Sequence, residues 1–266
     1  MAISPFDFQA RYKNLSGSGI PPKKTPADRF AFAGIHCDRY VMTNNKEFND
    51  AQPELDKIIS NAAGRVLSAL EKQAVFNVRY GKGSPDEMQT VLQLAVETGA
   101  AKPTVDELQK YADKALGVDC TGFACSYYEQ FDGSLVNTKT NNGCGYFYQS
   151  YKSKQLPIIW AGDYAEAGDC MLWMHADGQE SRKPGHIAII AMTAGADLEA
   201  VQSGSTSSGG PRRRKHKIEE IVHKTIQTGK DGKGKFEEAF YLRLEETDPI
   251  SGKKAEVIIV RPYYVV

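Results

Sequence analysis

Apolar positions recur at helical spacing through the first half of the chain and alternate with polar ones through much of the second. Leu55, Ile58, Ile59, Ala62, Val66 and Leu70 step by three or four residues, which predicts a helix over about 52–72. A second helix is predicted over 85–98, with Met88, Val91, Leu92 and Leu94 or Ala95 facing inward. A third opens at Thr104, where Thr as N-cap and Glu107 three residues on form a capping box behind Pro103; it ends near Gly117. Phe123, Tyr127 and Phe131 mark a fourth amphipathic helix that starts at Asp119 or Cys120. Ahead of these, residues 1–30 carry GSGIPPKKTP and little periodicity, and are expected to form an extended arm.

The texture changes after about residue 133. The stretch from Asn137 to Gly145 is polar and turn-rich, and short strands follow: Cys170–His175, His186–Thr193, Leu198–Ser203, Glu237–Leu244 and Glu256–Val260. Gly195 and Asp197 suit a hairpin turn between the second and third of them. Helices first and strands afterwards predict an α+β fold with an antiparallel β-sheet. Residues 211–235 hold PRRRKHK and a Gly/Lys-rich run. They read as a solvated basic loop inserted between strands, or else as a contact surface for an anionic partner. No aromatic residue interleaves those charges, so base stacking is a poor fit.

Composition narrows the function classes. Thirty-three Lys and Arg balance thirty-three Asp and Glu over 266 residues, which argues against a globally basic nucleic-acid binder. No apolar run approaches the roughly 18 residues of a membrane span. The N-terminus, MAISPFDFQARYKN, lacks the order of a secretory signal. Synthesis in the cytoplasm is expected, with release, if any, by a route that needs no cleaved signal. The five cysteines are odd in number and irregular in spacing, so mostly reduced thiols are expected.

A thiol attacks as thiolate, and a helix N-terminus or a neighbouring imidazolium favours that form. Cys120 meets the first condition at the predicted helix start, because first-turn N–H groups point toward it. Cys125, five residues on, reads as packing, and Cys170 as strand core. Cys144 falls in NNGCGYF, where an exposed thiol is expected. His36 and Asp38 would share a face in a strand, but one such pair is a weak metal signal. Among the histidines, His186 stands out at the mouth of the apolar run His186–Ala191, after Pro184-Gly185. His175 ends the preceding strand and is expected near it, whereas His216 and His223 are expected to be solvated. A Cys at a helix start is also common packing, and a strand His is often a hydrogen-bonded core residue.

Three stretches sharpen the picture: Asp119-Cys120-Thr121-Gly122-Phe123, Gly168-Asp169-Cys170-Met171-Leu172-Trp173 and Gly185-His186-Ile187-Ala188-Ile189-Ile190. In that order they resemble the motifs of the NlpC-type cell-wall peptidases, a papain-like family of cysteine hydrolases, over roughly residues 105–205. The resemblance implies a papain-like core with an N-terminal helical part packed on an antiparallel β-sheet. It implies Cys120 as nucleophile, His186 as general base and a polar third residue on the following strand, for which Gln202 aligns best and Glu199 is the runner-up in the other alternation phase. It also implies peptidoglycan stem peptides as substrate, cut beside a γ-D-glutamyl bond, with no cofactor and no metal. Such a substrate lies outside the cytosol. Without a signal, that suggests delivery by a secretion machine or phage-like particle as an antibacterial toxin, with an immunity protein as partner. The family's Tyr and Gly-Gly pair shortly before the Cys have no counterpart in Tyr111–Gly117, although Tyr111 is a candidate for the Tyr. Tyr146, Tyr148, Tyr151 and Trp160 are candidates for the wall of a cleft, or for core.

The expected organisation is an arm and helical extension over 1–100 and a catalytic domain over 101–266 with a basic insertion near 211–235. Two alternatives stay open. One is a papain-like deamidase, transglutaminase or acyltransferase acting on a protein, since one thioester serves several acceptors. The other is a non-catalytic binding module.

Overall fold

The computed structural model describes residues 3–43, 45–62, 65–131, 143–152, 158–159, 165–175, 183–204, 209–228, 235–247 and 253–262. Apart from a short N-terminal strand pair that the hydrophobic pattern did not predict, the helices precede the strands, and the sheets are antiparallel as expected. The chain divides into two compact units. The helical unit takes residues 7–140 and 203–212, and the barrel unit takes 1–6, 141–202 and 213–266.

The lead-in is not an extended arm. It forms α1 (Pro5–Arg11) and β1 (Leu15–Gly19), and β1 pairs antiparallel with β2 (Phe30–Ile35). Phe8, Tyr12 and Leu15 in this stretch are buried, so its few apolar residues are anchors. The helix expected over 52–72 is two helices, α2 (Lys46–Asn61) and α3 (Ala69–Arg79), each started by a side-chain cap, Asn45 and Ser68. Ile59, Val66 and Leu70, which extended the periodicity across the break, are exposed. The predicted second helix is α4 (Pro85–Glu97), with Ser84 and Glu87 closing a capping box.

α5 (Val105–Ala115) starts at Thr104 as predicted, but only half of the expected box forms. Thr104 accepts from the Glu107 N–H, while the Glu107 carboxylate takes Lys110 instead. The boundary expected at residue 100 does not coincide with the division of the chain. α5 packs on α2 and β2, so helices on both sides of that position share one core. α6 (Cys120–Tyr128) completes the unit and is buried along its whole length.

The barrel unit opens with α7 (Cys144–Lys152), where the sequence suggested a turn; the part of that stretch before residue 143 lies outside the described residues. Strands β3 (Ile158–Ile159), β4 (Cys170–His175), β5 (Lys183–Ala194), β6 (Asp197–Gly204), β7 (Gly210–Thr228), β8 (Lys235–Thr247) and β9 (Lys254–Val260) follow. β5 and β6 join in the expected tight hairpin, with Ala194 opposite Asp197 and Gly195 at φ 63°. Strand order is β3-β9-β4-β5-β6-β7-β8, and β9 also pairs with β8, which closes six strands into a barrel.

The closure depends on the segment expected to be a basic loop. Residues 210–228 are instead β7, the strand that links β6 to β8. Its charges are accommodated by pairing: Arg214 with Glu246, Lys217 with Glu245, and Glu220 with Arg243. Alternate residues fill the interior, among them Met171, Trp173, Ala188, Ile190, Leu198, Ala200, Leu244 and Val257. Among the described residues no helix is long and apolar enough to cross a membrane.

Candidate functional site

Cys120 occupies the first position of α6, directly after the N-cap Asp119. Asp119 Oδ1 accepts from the Gly122 N–H at 2.5 Å and from the Thr121 hydroxyl at 3.0 Å. Its other oxygen takes the Lys82 ammonium at 2.6 Å, and that ammonium also donates to Thr121. The Asp119 N–H donates to the Gly81 carbonyl at 2.8 Å, and Lys82 forms a β-bridge with Val118. The helix start is thus clasped by Gly81 and Lys82, a stretch far upstream in the chain. Gly81 has φ 69°, and a Cβ there would collide with the Val41 carbonyl. A Cβ on Gly122 would collide with the Gly81 carbonyl, so both glycines permit backbone approach that no other residue allows.

The helix is held from its far side by rings. Phe8 of α1 meets Phe123 and Tyr127 edge-on at 5.4 and 5.5 Å, and the Tyr12 hydroxyl donates to the Gly83 carbonyl at 3.1 Å. The Cys120 thiol is buried but not sealed, at 6% exposure, and the Tyr40 hydroxyl lies 3.9 Å from its Sγ. Burial pushes Asp119 up to about 6, against the pull of Lys82 and the Gly122 N–H, and the neighbouring Cys120 adds to the rise.

His186 and Gln202 lie in the barrel unit, on adjacent strands β5 and β6. His186 is in phase with the inward-facing Ala188 and Ile190, and Gln202 with Leu198 and Ala200. His186 Nε2 and Gln202 Oε1 are 2.7 Å apart. An amide oxygen only accepts, so Nε2 carries the proton and Nδ1 is the basic nitrogen of the neutral ring. Glu199 is in the opposite phase, opposite Met192, and makes no such bond. The structure therefore brings His186 and Gln202 together. Ser203, the residue after Gln202, donates its hydroxyl to the Val118 carbonyl, two residues before Cys120.

The Trp173 ring packs edge-on to His186 at 5.0 Å and to His216 at 5.2 Å. His216 is not solvated as expected: it is inward-facing and buried, with Nδ1 3.1 Å from Glu246. His223 is exposed as expected, stacked on Phe240 at 4.6 Å. The His175 side chain lies outside the described residues, as do those of Tyr151 and Trp160. Tyr111 faces the helical core and donates to the Glu54 carbonyl, away from Cys120.

The other thiols are Cys37, Cys125, Cys144 and Cys170, all buried. Cys144 is a correction, since it begins α7 rather than an exposed turn. Burial pushes the Cys37 thiol up to about 12. His36 Nδ1 and Asp38 are 3.9 Å apart, but Asp38 also pairs with Lys13, and no group of three or more metal-ligating side chains occurs among the described residues. A cavity of about 470 Å³ opens beside Lys215, His216 and Glu246 in the barrel unit; Cys120, His186 and Gln202 do not line it.

Sequence reasoning missed Tyr40, Lys82 and the glycine turn. Each is far from Cys120 in the chain, and a Gly-Lys-Gly run beside a capped helix was the available signal. Compared with known proteins, the chain matches no protein-family model, no curated protein and no solved structure.

Proposed function

We propose that this protein is a papain-like cysteine hydrolase that cleaves an amide bond, with peptidoglycan stem peptides as the substrate class. Cys120 thiolate attacks the carbonyl carbon, and His186 takes the thiol proton at Nδ1. His186 then gives that proton to the leaving amine, and water resolves the thioester with the same imidazole as base. Gln202 holds the ring in the tautomer that leaves Nδ1 basic, the role of the third group in a triad. The Cys120 N–H, at the start of α6, is the donor offered to the oxyanion.

The observation that carries this reading is the 2.7 Å His186–Gln202 bond, which orients one strand histidine for base chemistry. A further feature supports it. Gly81 and Lys82 clasp the helix start, which fixes Cys120 at the first position of α6. The resemblance to secreted wall hydrolases makes an immunity protein the expected partner.

The test is incubation with purified stem peptides, following new amino groups by mass spectrometry. Wild type is expected to split an amide and Cys120→Ala to leave it intact. Gln202→Ala is expected to slow turnover about 10- to 100-fold, the worth of one orienting hydrogen bond in a buried site. Release of ammonia without chain cleavage would replace hydrolysis by deamidation. Full activity in Cys120→Ala would overturn the reading.

A further inference from the structure

The nucleophile's helix carries an unfavourable neighbour. Asp119 is an attractive N-cap for geometry, but a carboxylate one residue from Cys120 opposes a second negative charge on the sulfur. Within the helical unit, the charged and titratable groups around Cys120 are Asp119, Lys82 and Tyr40. Of these three Lys82 is the cation. It is itself buried, at 7% exposure, which is costly for an ammonium without a compensating role. Its position is built rather than incidental: Gly81 and Gly83 flank it, and its Nζ reaches both Asp119 and Thr121. The Thr121 hydroxyl in turn donates to the other Asp119 oxygen, so one cation spans both residues that flank Cys120.

We propose that Lys82 is a positioning residue for the nucleophile: it neutralises Asp119, so that the cap keeps its geometry without opposing the thiolate at Cys120. The role assigned to Cys120 rests on the hydrolase reading above. Lys82 touches no reacting atom. It acts through Asp119, letting the α6 backbone field reach the sulfur with no net charge beside it. The burial that pushes Asp119 up agrees with this, since a carboxylate whose ionised form burial disfavours draws on the ammonium to stay ionised.

The experiment is alkylation of Cys120 by limiting iodoacetamide from about pH 5 to 9, a range that brackets a depressed thiol. Labelled sites are mapped by mass spectrometry in the full chain. Lys82→Met is expected to move the midpoint of Cys120 labelling up by about one pH unit or more, a roughly tenfold loss of rate near neutrality. Lys82→Arg is expected to keep the wild-type midpoint. The decisive variant is Lys82→Met combined with Asp119→Asn, in which both buried charges are gone; it is expected to return the midpoint toward wild type. A purely structural lysine would make the double variant worse than the single one. An unchanged midpoint in a folded Lys82→Met, or no return in the double variant, overturns the proposal. Should Lys82→Met fail to fold, Lys82→Arg and the double variant decide it, and a shift of more than about one unit in either counts against it. An ordinary thiol midpoint in wild type would instead count against the hydrolase reading and leave the comparison among variants intact.

Discussion

Each unit sets a carboxylate among donors, Asp119 in one and Glu246 in the other, and the two are shifted in opposite directions. Asp119 in the helical unit has the Lys82 ammonium, the Gly122 N–H and the Thr121 hydroxyl, and its pKa is nonetheless raised to about 6. Glu246 in the barrel is also pushed up by burial, yet His216, Arg214 and the Trp173 indole outweigh this and hold it below the usual carboxylate range. Partner number does not separate them. Enclosure does: the Asp119 side chain is 8% exposed and that of Glu246 is 21% exposed, with Arg214 itself open to solvent. Asp119 also has a second ionisable acid, Cys120, at its side. The carboxylate enclosed beside a second acid is thus raised, while the more open one that braces a barrel wall is lowered.

The largest expected effect probes how the helical cap is held. Gly81→Ala should cost about 3 kcal/mol or more, because a Cβ meets the Val41 carbonyl as well as a strained φ. Gly195→Ala, in the barrel hairpin, meets open space and should cost only about 1 kcal/mol for its positive φ. Urea unfolding of both variants checks the ratio. Equal costs would mean that the turn around Lys82 yields, and that the clasp on α6 is loose.

The carboxylates themselves give the next effect, and here the signs differ. A folded-state pKa raised from 3.8 to about 6 means the native protein holds that proton more tightly than the unfolded chain. The contribution of Asp119 is therefore most favourable in acid and is lost as pH rises from about 4 to about 6, a swing on the order of 3 kcal/mol. Asp119→Asn should flatten that fall. Glu246 is depressed, so its contribution is present above its unfolded value of 4.5 and disappears as pH drops below it. Glu246→Gln should remove an acid-side loss, and the swing should be smaller because the group is partly solvated. Unfolding midpoints across pH 3–7, a window spanning both ordinary carboxylate values, would separate the two; the same sign in both variants would remove the distinction between the clusters.

What was legible in the sequence follows from how local each signal is. Strand alternation is read within a few residues, so β4 appeared with its observed ends, and Gln202, aligned with the third position of the resemblance, was seen to differ in phase from the runner-up Glu199. Asp119 and Thr104 announced helix starts because a cap acts on N–H groups two or three residues away. The clasp was not legible, because Gly81 and Asp119 are joined by a backbone bond across two intervening helices. Neither was β7. Its run of Arg, Lys and His reads as solvated, yet Arg214 and Lys217 pair with Glu246 and Glu245 of β8, and Glu220 pairs with Arg243. Pairing of distant charges leaves no mark in a local composition.

The smallest expected effect comes from the misread periodicity. Leu55 and Leu70 both fit one helical stripe in the sequence, but Ser68 starts a new helix and rotates the phase. Leu55 is fully buried against the helical core, whereas Leu70 is 83% exposed in the first turn of α3. Leu55→Ala should therefore cost about 2–5 kcal/mol through lost burial and the cavity left behind. Leu70→Ser should stay within about 0.5 kcal/mol, since it removes no contact from water-excluded packing. Two-state urea curves for the pair measure this directly. A cost for Leu70→Ser near that of Leu55→Ala would mean that this stripe is covered in solution, and that the continuous helix read from the sequence described a surface the fold does bury.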